Sequence, residues 1–245
     1  MDDHEMALFA ELDRWRGAGK VARFWLRDDD AIEPTAALDR LLGLANEHGI
    51  PVTLAVIPAH TGAPLAGRVR DEPLFSVAVH GWSHANHARQ GEKKQELGGH
   101  RPAADVIAEL RQGRLLLSEL HDERFVPLLV PPWNRIDGQL LPYLTGCGFA
   151  ALSVFGPEKE MGLPVVNTHV DVMDWHGTRG GRASAELFAE IIGRLRVMFE
   201  TGGTMGLLTH HLVHDEAVWA FLARLFTLTR RHPACEWSAV SELMA

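Results

Sequence analysis

Cysteine is scarce: the 245 residues hold two, Cys147 and Cys235. Two thiols so far apart build neither a disulfide framework nor a four-cysteine zinc site, so a reducing compartment is the simpler expectation. A surplus of positive charge is also missing. Lys and Arg number 24 against 32 Asp and Glu, a formal net charge of -8, and nothing here supplies the basic surface that releases counterions from a phosphate backbone. Nucleic acid is excluded as an expected partner. No apolar run is long enough to span a bilayer, and the opening Met1-Asp2-Asp3-His4-Glu5 lacks the basic flank and apolar stretch of a secretion signal. The expectation is a cytoplasmic protein without a membrane partner. Repeats, linkers and low-complexity tracts are absent too, so one domain over 1–245 is the economical reading.

What is present is ordinary globular material, 46% hydrophobic and 23% charged, long enough to bury one sizeable core. Strand-like and helix-like segments alternate. Residues 21–26, 51–57, 75–79, 125–130, 149–154, 164–167 and 205–209 read as short strands, with helical spacing over 5–16, 34–48, 102–121, 138–147, 183–200 and 216–232. Parallel strands need crossovers long enough to hold a helix, so the alternation predicts an α/β fold, a barrel or a doubly wound sheet. In either, a ligand site lies at the carboxyl ends of the strands. Asp28 and Asp29, His80 and His84, 131–135, 171–175, and His210 with His211 all fall at or just past predicted strand ends. Distant polar residues are thereby expected to share one rim.

His80-Gly81-Trp82-Ser83-His84 is the most informative stretch. Neutral imidazole is the commonest zinc ligand, and two rings four residues apart converge on one ion if the turn between them is tight, as Gly81 allows. Histidines at this spacing are also ordinary surface residues, so the pattern needs support. The run Asp28-Asp29-Asp30 supplies it: three adjacent carboxylates near a strand end repel one another unless a cation compensates. A competing reading makes Asp30-Ala31-Ile32-Glu33 a helix capping box, which leaves Asp28 and Asp29 uncommitted. Two histidines and one aspartate leave coordination positions open for water and substrate, as a catalytic metal requires. Such an ion activates water, a neighbouring carboxylate takes the proton, and His210 is the candidate donor to a leaving amine.

These residues together resemble the polysaccharide deacetylase superfamily, the NodB-homology fold of carbohydrate esterase family 4. The family's ordered motifs find counterparts in Asp28-Asp29, His80 to His84, Pro131-Pro132-Trp133-Asn134, Asp171-Val172-Met173-Asp174-Trp175 and Leu208-Thr209-His210. The resemblance spans about 21–211 and implies an irregular (β/α) barrel of about seven parallel strands. It implies Asp28 as general base, Asp29, His80 and His84 as metal ligands, and His210 as general acid tuned by Asp174, with Trp175 as an apolar wall. The metal it implies is divalent, with zinc the default and cobalt, nickel or iron compatible with the same ligands.

Two departures stand out. Val130 occupies the place where the family has an arginine that orients the base, and Arg135 or Arg27 is left to substitute in space. The first motif reads Leu-Arg-Asp-Asp-Asp, so a shift that makes Asp29 the base and Asp30 the ligand stays open. Trp82, Pro132, Trp133, Asn134, Arg135 and Trp175 are the candidate substrate contacts, whereas Glu92-Lys93-Lys94-Gln95-Glu96 reads as an exposed charged face. The expected function is metal-dependent hydrolysis of C–N bonds outside peptides, with an N-acetylated amino sugar, oligosaccharide or sugar conjugate as substrate. An amidase of cyclic or linear amides and a non-catalytic saccharide-binding descendant are the alternatives.

Overall fold

A computed structural model describes residues 1–244. In chain order the elements are α1 (Asp3–Gly17), β1 (Ala22–Ala31), α2 (Ala36–His48), β2 (Val52–Val56), α3 (Ala63–Val69), β3 (Phe75–His80), α4 (Ala103–His121), β4 (Phe125–Val130) and β5 (Ala151–Leu152). Then follow β6 (Val170–Asp171), α5 (Ser184–Thr201), β7 (Met205–Thr209), α6 (Glu216–Arg230), β8 (Cys235–Trp237) and α7 (Val240–Leu243). Seven strands run parallel in the order β5-β4-β3-β2-β1-β7-β6, and β8 pairs with the first residues of β1. The sheet curls into a half-barrel with helices outside, which decides for the barrel that the resemblance implies over the doubly wound sheet that the alternation alone left open.

Strand β1, paired with β2, β7 and β8, shows the period-two logic of the fold. Phe24 and Leu26 join the large apolar cluster that includes the helices, whereas Trp25 joins a second cluster with Ala55, Ala78, Leu128, Val130 and Ala151. The small side chains of that second cluster leave room for the Trp25 indole, whose N–H donates to the Asn167 carbonyl at 3.0 Å.

Three local expectations change. Residues 138–147 form two short 3-10 turns, Gly138–Tyr143 and Thr145–Cys147, because Pro142 removes a helical donor in their midst. The segment 164–167 makes only isolated bridges, Leu152 to Val165 and, one residue further on, Phe155 to Thr168. There the Asn167 side chain replaces ladder bonds, accepting from the Val154 N–H at 2.9 Å and donating to the Gly156 carbonyl at 2.9 Å. Asp30 caps no helix; α2 is capped by Thr35, which accepts the Leu38 N–H at 3.0 Å.

Candidate active site

The alternation along β1 separates the three aspartates. Asp29 shares the inward face with Arg27, two residues earlier, and Arg27 Nε and Nη2 donate to the two Asp29 carboxylate oxygens at 2.9 and 3.0 Å. The same guanidinium donates to Ser153 Oγ and to Asn134 Oδ1, each at 2.7 Å. Arg27 is fully buried, so this bidentate pair lies in a low-dielectric interior where its hydrogen bonds are strongest.

Asp28 points the other way and is placed outside the cavity. Thr209 Oγ donates to it at 2.7 Å and the His211 N–H at 2.9 Å, and the His211 imidazole makes a very short contact with its other oxygen. Burial opposes charge on this carboxyl, but the His211 ring outweighs it and holds the group below its ordinary range. The Asp28 clamp thus ties the end of β1 to the end of β7.

Asp30 breaks the alternation. Its backbone is left-handed, with φ of 73°, and the register with β2 shifts between Asp28 and Ala31. The kink brings Asp30 Oδ1 to 3.2 Å from His80 Nε2 and 3.4 Å from His84 Nε2. Asp30, His80 and His84 offer three ligand atoms within 4.8 Å of one another, the one such group among the described residues. The resemblance implies Asp29 in this set, whereas the geometry brings Asp30 there and leaves Asp29 beside it.

Several observations fit a metal ion. With bonds of about 2.0–2.1 Å, two ligand atoms of a tetrahedral zinc site stand about 3.3 Å apart, matching the Asp30–His80 and Asp30–His84 separations of 3.2 and 3.4 Å. Asp30 Oδ1 is buried and makes no hydrogen bond. His80 Nδ1 donates to the Val130 carbonyl at 2.9 Å, which turns the lone pair of Nε2 toward Asp30. Burial lowers the His84 basicity and favours its neutral ring, the form that ligates.

The turn between the histidines is held from below by a residue that sequence reading placed on an exposed face. Glu96 is buried, 1% exposed, and accepts the Trp82 N–H at 3.1 Å, the Ser83 N–H at 2.7 Å and the Ser83 hydroxyl at 3.1 Å. Gly81, at φ of 60°, lies so close that a Cβ there would stand 2.0 Å from Glu96 Oε2 and 2.6 Å from Pro132 Cγ. A cluster of charged neighbours in sequence hid this buried carboxylate, and no periodic signal marks it.

A cavity of about 650 Å³ opens over this rim, lined by Asp29, Asp30, His80, His84, Trp133, Asn134, Arg135, Trp175 and His210, with Phe155, Asp171 and Arg182 among the others. Trp82 and Pro132 are not in its wall: Trp82 packs toward Gly113 of α4, and Pro132 packs on Gly81. Trp133 and Asn134 are both left-handed, φ 54° and 58°. The Asn134 and Arg135 N–H groups serve the Pro131 and Pro132 carbonyls, which leaves the Trp133 N–H as the uncommitted donor of this segment.

His210 stands at the end of β7 with its Nδ1 buried and unpartnered and its ring 4.7 Å edge-to-face from Trp175. Asp174, implied as its tuning partner, instead accepts the Gly177 and Thr178 N–H groups at 2.9 and 2.8 Å in an exposed turn. The carboxyls that feel the His210 charge are Asp171 and Asp30. Burial pushes Asp171 up, the His210 charge pulls it back, and its oxygens receive the Met173 N–H and the Trp175 indole N–H at 2.9 and 2.8 Å.

A curled half-barrel of parallel strands, with imidazoles and carboxylates gathered at its carboxyl ends, defines a NodB-like α/β fold. The family model for polysaccharide deacetylase matches residues 23–152, more than half of the chain, and the chain belongs to that family. Solved structures agree on the fold. A Mycobacterium smegmatis protein classed with the polysaccharide deacetylases is 18% identical with a TM-score of 0.72, covering 92% of this chain and 90% of its own. The peptidoglycan deacetylase PdaC of Bacillus subtilis is 17% identical with a TM-score of 0.57, covering 91% and 89%. A family 4 acetyl xylan esterase of Clostridium thermocellum, solved with a cobalt ion, is 14% identical with a TM-score of 0.52, covering 90% and 89%. No curated protein matches the chain.

Proposed function

We propose that the protein is a metal-dependent deacetylase that cleaves the C–N bond of an N-acetylated amino sugar or sugar conjugate. The observation that carries this reading is the convergence of Asp30, His80 and His84 beside Asp29 in one cavity with His210. In it Asp30, His80 and His84 hold a divalent ion, with zinc the default for this donor set. The bound ion supplies Lewis acidity, lowering the pKa of a water and polarising the acyl oxygen.

The chain's own residues do the rest. Asp29, fixed by both arms of Arg27, takes the proton of the attacking water on a carboxylate oxygen. The Trp133 N–H donates to the acyl oxygen as negative charge develops on it. His210 delivers a proton to the leaving nitrogen, so that acetate and a free amine result. Trp175, oriented by its bond to Asp171, braces the His210 ring and shields it from water. Relatives that act on peptidoglycan and on acetyl xylan share the fold, so the choice of nitrogen over oxygen rests on His210 as an available proton donor. We further propose that the whole chain is one catalytic domain. Both cysteines are free thiols, which supports a reducing, cytoplasmic setting.

Elemental analysis of protein purified without chelators, followed by a comparison of acetate release from N-acetylglucosamine oligomers with ring opening of cyclic amides, tests the reading. Asp30→Ala and His84→Ala are expected to lose the metal, while Asp29→Ala and His210→Ala keep it and lose turnover by at least about a hundredfold. Metal-free native protein, or full acetate release by Asp29→Ala, would overturn it.

A further inference from the structure

Beside the main cavity, and sharing Asn134, Arg135 and Phe155 with it as a common wall, lies a second pocket of about 390 Å³, lined also by Gln95, Ile136 and Lys159. The two pockets differ in charge. Asp29, Asp30, Asp171 and Asp174 border the first, whereas the titratable residues of the second are Arg135 and Lys159, with no carboxylate in its wall.

Arg135 differs from the other arginines of the site. Arg27 is saturated by Asp29, Ser153 and Asn134, and Arg182 is paired with Glu190 at 2.9 Å and bonded to the Asp171 carbonyl at 3.2 Å. Arg135 makes one hydrogen bond, from Nη1 to the Lys94 carbonyl at 2.8 Å, and meets no carboxylate among the described residues. A guanidinium has five donors, and this one bond orients the group without using its charge. Glu158, beside Lys159, is turned onto His169 and Arg194 at 3.0 and 2.8 Å, and Glu160 is exposed outside the wall. Lys94, in the wall of neither pocket, holds its Nζ 5.9 Å from the centre of the Trp133 ring.

The backbone holds this arrangement against strain. Two consecutive left-handed residues, Trp133 and Asn134, precede Arg135, and Asn134 is anchored through its Oδ1 by buried Arg27. Such conformations cost free energy and persist where surrounding contacts impose them.

We propose that the second pocket receives an anionic group, a carboxylate or a phosphate, carried by the substrate away from its acylated nitrogen. Arg135 is the specificity-determining residue, and Lys159 assists it. The polarity of the cleft then orients the substrate: the anion is drawn to Arg135 and repelled by Asp171 and Asp174, which directs the neutral amide toward Asp30. Phe155, shared by both pockets, offers an apolar face for the ring between them. This inference rests on the first cavity accepting an acylated amino sugar.

Calorimetric titration with three probes tests it: neutral N-acetylglucosamine, N-acetylglucosamine 1-phosphate and N-acetylmuramic acid. Wild-type protein is expected to bind at least one anionic sugar about tenfold or more tightly than the neutral one, with the gap narrowing at high salt. The better of the two anionic probes identifies phosphate or carboxylate as the source. Arg135→Ala should erase the gap and Lys159→Ala reduce it a few-fold; should Arg135→Ala not fold, Arg135→Lys combined with Lys159→Ala carries the comparison. Equal binding of all three probes, no binding of any, or a gap that survives both sets of substitutions would overturn the proposal. Acetate release measured in parallel separates the two readings. An anion preference without acetate release keeps the pocket and retires the deacetylase, while equal release from all three sugars without a preference does the reverse.

Discussion

Arg27 and Asp29 stand two residues apart on one strand and meet through two hydrogen bonds of 2.9 and 3.0 Å inside the half-barrel. The guanidinium comes from the same strand as the carboxylate, whereas Val130, at the place of the family's arginine, lies in the interior apolar cluster. Arg27 thus supplies Asp29 with a guanidinium partner that Val130 cannot.

Arg27→Met is expected to destabilise the protein by about 3–5 kcal/mol, because it strands a buried carboxylate. Arg27→Lys keeps the charge but not the fork, and should lower kcat tenfold or more with the bound metal unchanged. Thermal melts, metal content and turnover together check both outcomes. A fully active Arg27→Lys would show that the bidentate contact is dispensable.

Glu96 fastens the turn that carries the two imidazoles. Glu96→Ala should weaken metal binding by about tenfold to a hundredfold in a chelator competition, as loss of such supporting contacts commonly does. Glu96→Gln, which retains one acceptor, should fall between the two. Gly81→Ala, which drives a methyl into Glu96 and Pro132, is expected to lose the metal as well.

Asp28 serves the join between β1 and β7 and does not face the cavity. Asp28→Asn is expected to cost about 3–5 kcal/mol of stability, since it breaks a buried pair with His211, while the stoichiometry of bound metal stays that of the native protein. Denaturant titration alongside elemental analysis reads both quantities. Loss of the metal with stability intact would place Asp28 among the ligands instead.

Stability should decline as pH falls below neutrality. Burial lowers His121 and His214 to about 4, against about 6.5 in the unfolded chain. Between those values the unfolded state binds protons that the folded state does not, so acidification favours unfolding by up to about 2 kcal/mol per group at pH 5. Both ring nitrogens of His121 are buried without partners. His121→Leu should therefore raise the melting temperature and flatten its dependence between pH 7 and 5, and an unchanged slope would assign that dependence to other groups.

Much of the fold is written locally. Helices over 34–48, 102–121 and 183–200 were legible from their spacing and end signals, and the structure forms them as Ala36–His48, Ala103–His121 and Ser184–Thr201. β6 and β8, of two and three residues, are too short for any alternation to register. The rim was legible too, because strand ends mark it: His80, His84, Trp133, Asn134, Arg135, Trp175 and His210 all line the cavity.

The amino-acid order by itself determined that two imidazoles, a run of carboxylates and a late histidine would gather at the carboxyl ends of parallel strands in an α/β fold, since strand periodicity and crossover length are local properties. Which carboxylate goes where was decided only in three dimensions. Asp28, Asp29 and Asp30 are the same residue type in adjacent positions; strand alternation turns Asp28 to His211 and Asp29 to Arg27, and a left-handed kink at Asp30 turns the third carboxylate to the histidine pair. The burial of Glu96 likewise depends on its loop folding back under the turn 13 and 14 residues earlier, a contact for which no periodic pattern exists.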